Sequence, residues 1–423
     1  MSEGGHTVGL DTVGLDTVGL DTPPGLAVDG LLDDPGTRII VCCGAGGVGK
    51  TTTAAALGVR AAGRGRKAVV LTIDPARRLA QSMGIDSLDN TPRKVAGVGA
   101  DGGELHAMML DMKRTFDEIV EAHADGERAQ AILANPFYQS LSAGFAGTQE
   151  YMAMEKLGQL RARDDWDLII VDTPPSRSAL DFLDAPKRLG SFLDGRFIRV
   201  LMAPAKVGGR AGMKFLNVGM SMMTGTLSKL MGASLLKDVQ TFVAAMDTMF
   251  GGFRTRADAT FRLLQAPGTA FLVVAAPEPD ALREAAYFVE RLAAESMPLA
   301  GLVLNRVHGS GADQLSAERA LAAAENLEEG GIVDQESGKA GLRDADSDTD
   351  DTTEVDAITA GLLRLHAERM QVIAREKRTR DRFTSLHPEV AVAEVAALPG
   401  DVHDLAGLRA IGERLATGVP AGA

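Results

Sequence analysis

The residues best suited to chemistry lie in one stretch, Gly44-Ala45-Gly46-Gly47-Val48-Gly49-Lys50-Thr51-Thr52, which matches the pattern G-x-x-x-x-G-K-[ST] in full. Glycines in this pattern let the backbone turn its N–H groups inward around an anion. Lys50 would add positive charge at a phosphate, and the Thr51 hydroxyl would be a Mg²⁺ ligand. The stretch is therefore a predicted P-loop that binds a triphosphate.

Two elements must position this loop. The apolar run 38–43 before it predicts a buried strand, and the residues from Thr52 to Leu57 predict a helix whose N-terminus faces the phosphates. The spacing of the glycines also fits a dinucleotide-binding fingerprint. Lys50 and Thr51 belong instead to phosphate and Mg²⁺ chemistry, which argues against a dehydrogenase.

Two carboxylates follow other apolar runs that predict buried parallel strands. Asp74 ends the run that begins at Lys67, and Asp172 ends the run that begins at Trp166. Phosphoryl transfer needs a phosphate cradle, a Mg²⁺ site and a group that orients water. Asp172 is placed like a Walker-B acid that holds Mg²⁺ through water or supports the attacking water, and Asp74 is the candidate for aligning that nucleophile. Carboxylates at strand ends are also common as helix caps.

Other segments that predict strands lie between these two runs and after them. They are residues 105–111, 270–276, 299–305 and 390–398. Helical patterns separate many of the predicted strands, so we predict an α/β fold. Its expected form is a P-loop NTPase with a mainly parallel sheet covered by helices on both faces, plus an inserted Met-rich helical subdomain.

The chain is predicted to have four parts. Residues 1–36 contain three Thr-Val-Gly-Leu-Asp repeats and are expected to be a mostly disordered leader. Residues 37–186 form the first part of the ATPase core, and 268–423 form the second. The Met-rich subdomain, which would bind a client or partner, spans 187–267. An acidic segment over 325–356 is expected to be a disordered, solvated loop.

The composition argues against several classes of protein. The net charge is −13, which argues against wholesale nucleic-acid binding, although twelve acidic and two basic residues between Glu325 and Asp356 supply −10 of it. The two cysteines, Cys42 and Cys43, are adjacent and cannot form a disulfide framework. We find neither a signal-peptide pattern nor an uncharged apolar run long enough to span a membrane, so we expect a cytoplasmic protein.

Several segments together resemble the ArsA/GET family. They are the P-loop, Asp74-Pro75-Ala76, Gly147-Thr148-Gln149-Glu150, and the run from Asp172 to Pro186. Members of this family are dimeric ATPases of the deviant P-loop class, which energise arsenite efflux or deliver tail-anchored membrane proteins. The resemblance runs in order from about residue 37 to residue 415. It implies that ATP and Mg²⁺ are the cofactors.

The resemblance also implies roles for single residues. Asp74 would lie in switch I as the catalytic carboxylate, and residues 172–178 would form switch II, which senses the γ-phosphate. Asn305 matches the asparagine that reads adenine, although by itself it could equally be a turn residue. The segment from Ala396 to Pro399 would flank the base.

One departure from the family concerns catalysis. The deviant P-loop has a second lysine after its first glycine, which reaches the partner's phosphates, but this chain has Ala45 there. A methyl group cannot stabilise transition-state charge. Either Arg77 or Arg78 replaces the lysine, or a related subunit with an intact lysine completes a mixed dimer. The second explanation predicts feeble ATPase activity for the chain alone.

Two other departures concern the partners. Residues 306–389 contain no cysteine, so the Cys-x-x-Cys zinc site of targeting members cannot form and we expect no zinc. The arsenite-binding cysteines are missing too. In the position where targeting members bind clients, this chain has eight of its seventeen methionines. Methionine suits varied apolar partners, but it can also fill an ordinary core.

Three functions remain as hypotheses. The first is a dimeric ATP-hydrolysing switch of the ArsA/GET type that acts on an apolar client or a membrane protein. The second is a weakly active regulatory subunit of a lysine-bearing paralogue. The third is a positioning ATPase resembling ParA or MinD, against which the Met-rich insert and the lack of a basic C-terminal amphipathic helix argue.

Overall fold

The structure is a computed structural model of the chain. It describes residues 24–74, 78–99, 102–136, 138–139, 142, 148–174, 252, 255–336 and 348–417. Predictions that fall elsewhere, such as those for residues 175–251, lie outside the described residues. In the part of the chain that the structure describes, no helix is both long enough and apolar enough to cross a membrane.

Eight strands of the described residues form one sheet, in the order β3-β4-β2-β5-β1-β6-β7-β8. They are β1 (Ile39–Cys43), β2 (Lys67–Thr72), β3 (Arg93–Lys94), β4 (Glu104–Met109), β5 (Leu168–Asp172), β6 (Thr269–Ala275), β7 (Leu299–Val307) and β8 (Val392–Ala396). All pairs are parallel except β3 with β4. The predicted α/β fold with a mainly parallel sheet is confirmed.

Helices connect these strands and pack on the sheet. They are α1 (Val28–Asp33), α2 (Lys50–Gly63), α3 (Arg78–Ser82), α4 (Met112–His123), α5 (Gly126–Leu133), α6 (Thr148–Arg163), α7 (255–265), α8 (Pro279–Ala294), α9 (Ala317–Glu336), α10 (Asp348–Leu386) and α11 (Leu405–Thr417). Side chains from the two faces of the sheet enter two separate apolar clusters. The central strands β1, β5 and β6 are therefore buried along their whole length, as continuous apolar runs predict.

The position of β1 explains where a ligand can bind. The chain leaves β1 through α2 to reach β2 on one side of the sheet, whereas β6, β7 and β8 extend the sheet on the other side. Such a reversal of strand order opens a crevice at the carboxyl ends of the central strands. The P-loop follows β1 directly, so it lies at this crevice.

Residues 24–36, the end of the expected leader, are ordered, whereas residues 1–23 with the three repeats lie outside the described residues. Gly25 forms a parallel bridge with Val392 of β8, and α1 follows it. Val28 and Leu32 of α1 are fully buried in the core. Asp29 accepts hydrogen bonds from Arg60 of α2 at 2.5 and 2.6 Å. Two buried side chains in a six-residue helix give too short a periodic signal to detect in the sequence.

The acidic segment also differs from the expected loop. Its first part lies in α9 and its last part in α10, and only residues 337–347 between them lie outside the described residues. The two helices pack against each other along faces that bury Ala320, Ala324, Ala360 and Ala367. Alanine allows this close packing, so a helix pair forms with few large apolar residues, which is the feature that made the segment look disordered.

The proposed Met-rich subdomain is described only at its end. Residue 252 and residues 255–267 are described, and α7 belongs to this stretch. Leu264 of α7 enters the main apolar cluster. The eight methionines between residues 191 and 265 that suggested a client site lie outside the described residues.

Candidate functional site

The P-loop joins β1 to α2 in a backbone conformation that requires glycine. Gly49, the residue before α2, has a φ of 98°, and Gly44 has a φ of 146°. A Cβ atom on Gly44 would lie 2.1 Å from the carbonyl oxygen of Val274 in β6. The neighbouring strand therefore fixes the start of the loop, and α2 fixes its end.

Lys50 lies inside this loop rather than in solvent. Its side chain is buried and its Nζ donates a hydrogen bond to the Ala45 carbonyl oxygen at 2.6 Å. Burial lowers the pKa of Lys50, and the negative charges of Asp172 and Asp74 act in the opposite direction. A buried cation at the N-terminus of a helix suits an anionic ligand such as a phosphate.

Asp172 is the last residue of β5, next to β1 in the sheet. The hydroxyls of Thr51 and Thr72 both donate to its Oδ2, each at 2.8 Å. Its Oδ1 is buried and has no hydrogen-bond partner in the described residues. Burial raises the pKa of Asp172 to about 6, against the lowering effect of the two threonine hydrogen bonds.

These features fit a hydrated Mg²⁺. A buried carboxylate oxygen without a partner is costly, and a cation or its water would satisfy it. The Thr51 hydroxyl, a predicted Mg²⁺ ligand, contacts the same carboxylate. The structure thus brings together Lys50, Thr51 and Asp172, the three residues predicted to serve the phosphates and the metal.

Thr72 was missed at the sequence level. It lies directly beside Asp172 in the parallel register of β2 with β5. Aligning the carboxyl ends of the two predicted strands could have found it, because a hydroxyl two residues before Asp74 would then lie level with Asp172.

Asp74 follows β2 by two residues at the same edge of the sheet. Its N–H donates to Thr72 Oγ1 at 3.3 Å, and the next residue back, Ile73, accepts a hydrogen bond from Gln149 Nε2 at 2.9 Å through its carbonyl oxygen. The segment that contains Gln149 thus contacts the chain beside Asp74. Arg77 and the side chain of Arg78 lie outside the described residues, so the arginine alternative for the second lysine stays a prediction.

Asn305 of β7 is part of the loop environment. Its side chain is buried, and its Nδ2 donates to the Val48 carbonyl oxygen at 2.8 Å. The next residue, Arg306, has a φ of 64°, which is unusual for a residue with a Cβ. The structure therefore places Asn305 against the P-loop, a contact that its predicted role in reading adenine did not include.

A cleft of about 960 Å³ opens beside these residues. Gly47, Gly49, Thr51 and Thr52 line one side, and Asn305 and Pro399 lie on its wall with residues 395–398 and 400–403. This volume suits a nucleotide-sized ligand. The residues predicted to flank a base are thus at the same cleft as the phosphate loop.

The two cysteines lie in the core behind the loop. Burial raises the pKa of the Cys42 thiol well above its ordinary value and that of Cys43 to about 12. Both thiols are therefore protonated and unsuited to binding metal at neutral pH. Among the described residues, no group of three or more His, Cys, Asp or Glu side chains is placed to hold a metal ion.

Comparison with known sequences agrees with this site. The family described as Anion-transporting ATPase matches residues 37–328. A Malassezia globosa protein named ATPase GET3 is 30% identical over 167 residues, which cover 40% of this chain and 47% of that protein. ATPase GET3 of Podospora anserina is 26% identical over 299 residues, covering 69% of this chain and 80% of the relative.

A bacterial relative shows a similar extent of likeness. ATPase BagA of Mycobacterium tuberculosis is 27% identical over 170 residues, which cover 38% of this chain and 49% of that protein. The matches thus span about half the length of the Malassezia and Mycobacterium proteins. The family match covers most of the chain, including the P-loop, Asp74, Asp172 and Asn305. The chain therefore belongs to the anion-transporting ATPase family and is an ATPase of that family.

Proposed function

We propose that the chain is a dimeric, ATP-hydrolysing molecular switch of the ArsA/GET type, whose nucleotide state controls binding of an apolar client or a membrane-protein partner. The observation that carries the hydrolytic part is the arrangement at Asp172. Its carboxylate accepts the Thr51 hydroxyl at 2.8 Å and lies close enough to Lys50 to affect its pKa, and its second oxygen has no hydrogen-bond partner among the described residues.

Each residue of the site would have its own role in phosphoryl transfer. When bound, Mg²⁺ would neutralise charge that develops on the phosphate oxygens. Thr51 would hold the ion directly and Asp172 through water, while Lys50 and the loop N–H groups would hold the phosphates. Asp74 would orient the attacking water at the same edge of the sheet.

Other observations support the proposed dimer and the proposed client. The family resemblance implies both, and the methionine content of residues 187–267 is typical of a surface that binds varied apolar partners. The chain alone would then bind ATP, and the dimer would couple hydrolysis to release of the client.

Ala45 supports a second candidate, a regulatory subunit paired with a lysine-bearing paralogue. Its side chain is a buried methyl group, and its carbonyl oxygen already accepts the Lys50 ammonium at 2.6 Å. This position therefore offers no cation to the partner's phosphates. Strong ATPase activity of the purified chain alone would contradict this candidate.

Calorimetry with Mg²⁺ and ATP tests the proposal. We expect micromolar affinity for the wild type and at least about 100-fold weaker affinity for Lys50→Ala, because the buried cation no longer balances the phosphate charge. Lys94→Ala, which removes an exposed lysine on β3, is the matched control and should bind like the wild type. Absence of binding by folded wild-type protein to ATP or ADP would overturn the proposal.

A further inference from the structure

A groove of about 470 Å³ lies between α8 and the C-terminal part of α10. The two helices contact each other and contribute to the same apolar cluster of the core. The floor of the groove includes Leu282 and Phe383, which are both 4% exposed, and Leu386 at its end is 67% exposed. The groove therefore offers apolar surface to aliphatic side chains.

Four arginines line this groove, so we call it the arginine groove. Arg283 comes from α8, and Arg375, Arg378 and Arg382 come from α10. The three on α10 follow one another at intervals of three and four residues, so they share one face of the helix. All three are exposed. A concentration of positive charge thus surrounds apolar surface in a protein whose net charge is −13.

The arginines on α10 are not neutralised by neighbouring carboxylates. Among the described residues, no carboxylate forms an ion pair with Arg375, Arg378 or Arg382. The acidic residues of these helix segments have other partners, in the pairs Asp280–Arg283, Glu376–His308 and Asp381–Arg380. Like charges on one helix face repel each other. The arginine groove therefore favours a ligand that carries both carboxylates and aliphatic groups.

The first 23 residues of this chain have that composition. They contain four acidic residues, Glu3, Asp11, Asp16 and Asp21, and neither lysine nor arginine. Residues 7–21, which we call the repeat segment, are the three Thr-Val-Gly-Leu-Asp repeats. Each repeat supplies two aliphatic side chains and one carboxylate. The repeat segment is thus complementary to the arginine groove in charge and in apolar character.

The repeat segment is joined to the fold close to the arginine groove. The carbonyl oxygen of Pro24 accepts a hydrogen bond from the Val392 N–H of β8 at 2.9 Å. Leu386, at the end of the groove, precedes Val392 by six residues, a path of at most about 21 Å. The 13 residues from Asp11 to Pro24 can span about 45 Å. The chain is therefore long enough to bring the repeats into the groove.

We propose that a Thr-Val-Gly-Leu-Asp repeat binds in the arginine groove of its own chain. In an extended repeat, the Val and Leu side chains lie two residues apart and point to the same side, toward the apolar floor. The Asp side chain points to the other side, where the exposed guanidinium groups of α10 donate hydrogen bonds to it. The interaction surface of the groove is thus a basic, apolar one, and its partner is an acidic, aliphatic peptide.

The length of one repeat agrees with the length of the arginine groove. Five extended residues span about 16 Å. From Arg375 to Leu386, α10 also extends about 16 Å. Three repeats offer three equivalent ligands, and their attachment at Pro24 gives an effective concentration in the millimolar range. A contact of weak intrinsic affinity is therefore occupied in most molecules.

Disulfide cross-linking in the full chain tests the contact. Cys42 and Cys43 are both buried, so introduced thiols are the accessible ones. Under mild oxidation, Thr12→Cys in the middle repeat should form a disulfide with Thr379→Cys in the groove. The rate should be the same from about 1 to about 50 µM chain, because the contact lies within one molecule.

Glu389→Cys supplies the matched control for Thr379→Cys. Glu389 is exposed and precedes Val392 by only three residues, so it lies closer along the chain to the Pro24 attachment. A repeat segment without a binding site would therefore meet Glu389 more often. We expect the disulfide with Thr379→Cys to form at least about 10-fold faster than the one with Glu389→Cys. Equal rates, or a faster reaction at Glu389, overturn the proposal.

Charge reversal tests the chemistry of the arginine groove. Arg375→Glu/Arg378→Glu/Arg382→Glu should lower the rate of the disulfide between Thr12→Cys and Thr379→Cys to that of the Glu389→Cys control. Further exchange of the three repeat carboxylates, as Asp11→Arg/Asp16→Arg/Asp21→Arg, should restore the rate. Arg319→Glu, at an exposed arginine of α9 outside the groove, should leave it unchanged. An unchanged rate in the triple glutamate variant overturns the proposal.

Two other results would assign the arginine groove to a different ligand. A disulfide that forms only between two chains, at a rate that rises with chain concentration, would indicate a second copy. Binding of the wild type to phosphatidylserine vesicles, abolished by Arg378→Glu and found in place of the cross-link, would indicate an anionic membrane. Either result overturns the proposal.

Discussion

The phosphate loop leads into helix α2, and the N-terminal half of that helix can be compared with the N-terminal half of helix α10. The first is buried in protein, whereas the second is partly exposed to water. Helix α2 begins at Lys50 and is buried from Thr53 to Val59, between the sheet and α11. Residues 355–367 of α10, here called the arm, bury Ala360 and Ala367 on one side and expose four large apolar side chains on the other: Val355, Ile358, Leu362 and Leu365. Neighbouring backbone atoms therefore restrict which side chains the phosphate loop can carry. The exposed face of the arm contacts water and accepts many side chains.

This difference predicts that equal changes have unequal costs. In the loop, one added methyl group meets fixed backbone atoms. On the arm, removal of most of a leucine side chain changes few intramolecular contacts. The following predictions test the contrast, from the largest expected effect to the smallest.

Gly44→Ala should destabilise the protein most. Its Cβ would lie 2.1 Å from the Val274 carbonyl oxygen, and its φ of 146° is unfavourable for alanine. We expect a loss of more than about 3 kcal/mol in the free energy of unfolding, measured by urea denaturation. Gly47→Ala is the matched control: its φ is 77° and nothing lies within 4 Å of the added Cβ, so only about 1 kcal/mol should be lost. Equal losses would show that steric contact with β6 does not fix the loop.

Asp172→Asn should stabilise the nucleotide-free protein at pH 7. Burial raises the pKa of Asp172 from 3.8 to about 6, so between these values the native state holds the proton more tightly than the unfolded chain. Stability therefore falls as the pH rises from about 4 to above 6, and the variant should regain on the order of 2 kcal/mol at pH 7.

The pH profile supplies the check on this interpretation. Thermal unfolding should show the full gain at pH 7 and little of it at pH 4, where the native carboxyl group is protonated and only the unfolded one is partly ionised. Asp165→Asn, at an exposed residue before β5, should change stability at neither pH. A pH-independent gain would mean that the amide acts through packing rather than charge. The same variant should lose Mg²⁺-dependent ATP hydrolysis.

Asn305→Ala should have an intermediate effect. The substitution leaves the buried Val48 carbonyl oxygen without the donor that now lies 2.8 Å away. We expect a loss of about 1 to 2 kcal/mol in the free energy of unfolding, with a weaker affinity for ATP in calorimetry. Unchanged stability with weakened ATP binding would instead indicate that Asn305 acts only on the base.

Leu362→Ala should have the smallest effect on the monomer. The side chain is 61% exposed, so its removal should change the free energy of unfolding by less than about 0.5 kcal/mol at low protein concentration. Ala367→Leu, on the buried face of the same helix, should cost about 1 to 3 kcal/mol through overpacking against α9. Comparable losses from the two variants would contradict the two-faced description of the arm.

Features that depend on local sequence were predicted well. The P-loop, the strand before Asp74 and the strand that ends at Asp172 are found where the motif and the apolar runs indicate. Buried parallel strands give continuous apolar runs, and a Gly-rich turn before a helix has few other uses. For this reason the α/β class and the edge of the sheet that holds the site could be predicted from the sequence.

Other features depend on residues that are distant in sequence. The strand β3 has only two residues and exists because it pairs with β4. Helix α1 is held by two buried side chains and by Arg60, and α9 and α10 stabilise each other through alanines. Local composition made both regions look disordered, because the contacts that order them lie elsewhere in the chain.

The site also combines features that local sequence predicts with features that depend on residues distant in sequence. The sequence by itself determined which groups are present: a lysine and a threonine after a glycine-rich turn, and carboxylates after two apolar strands. Only the tertiary structure decided that Thr72 shares Asp172 with Thr51, that Asn305 closes on Val48, and that Asp172 is buried enough to raise its pKa. Residue type sets what a group can do, but its neighbours set its protonation and its partners, and those neighbours come from strands far apart in the chain.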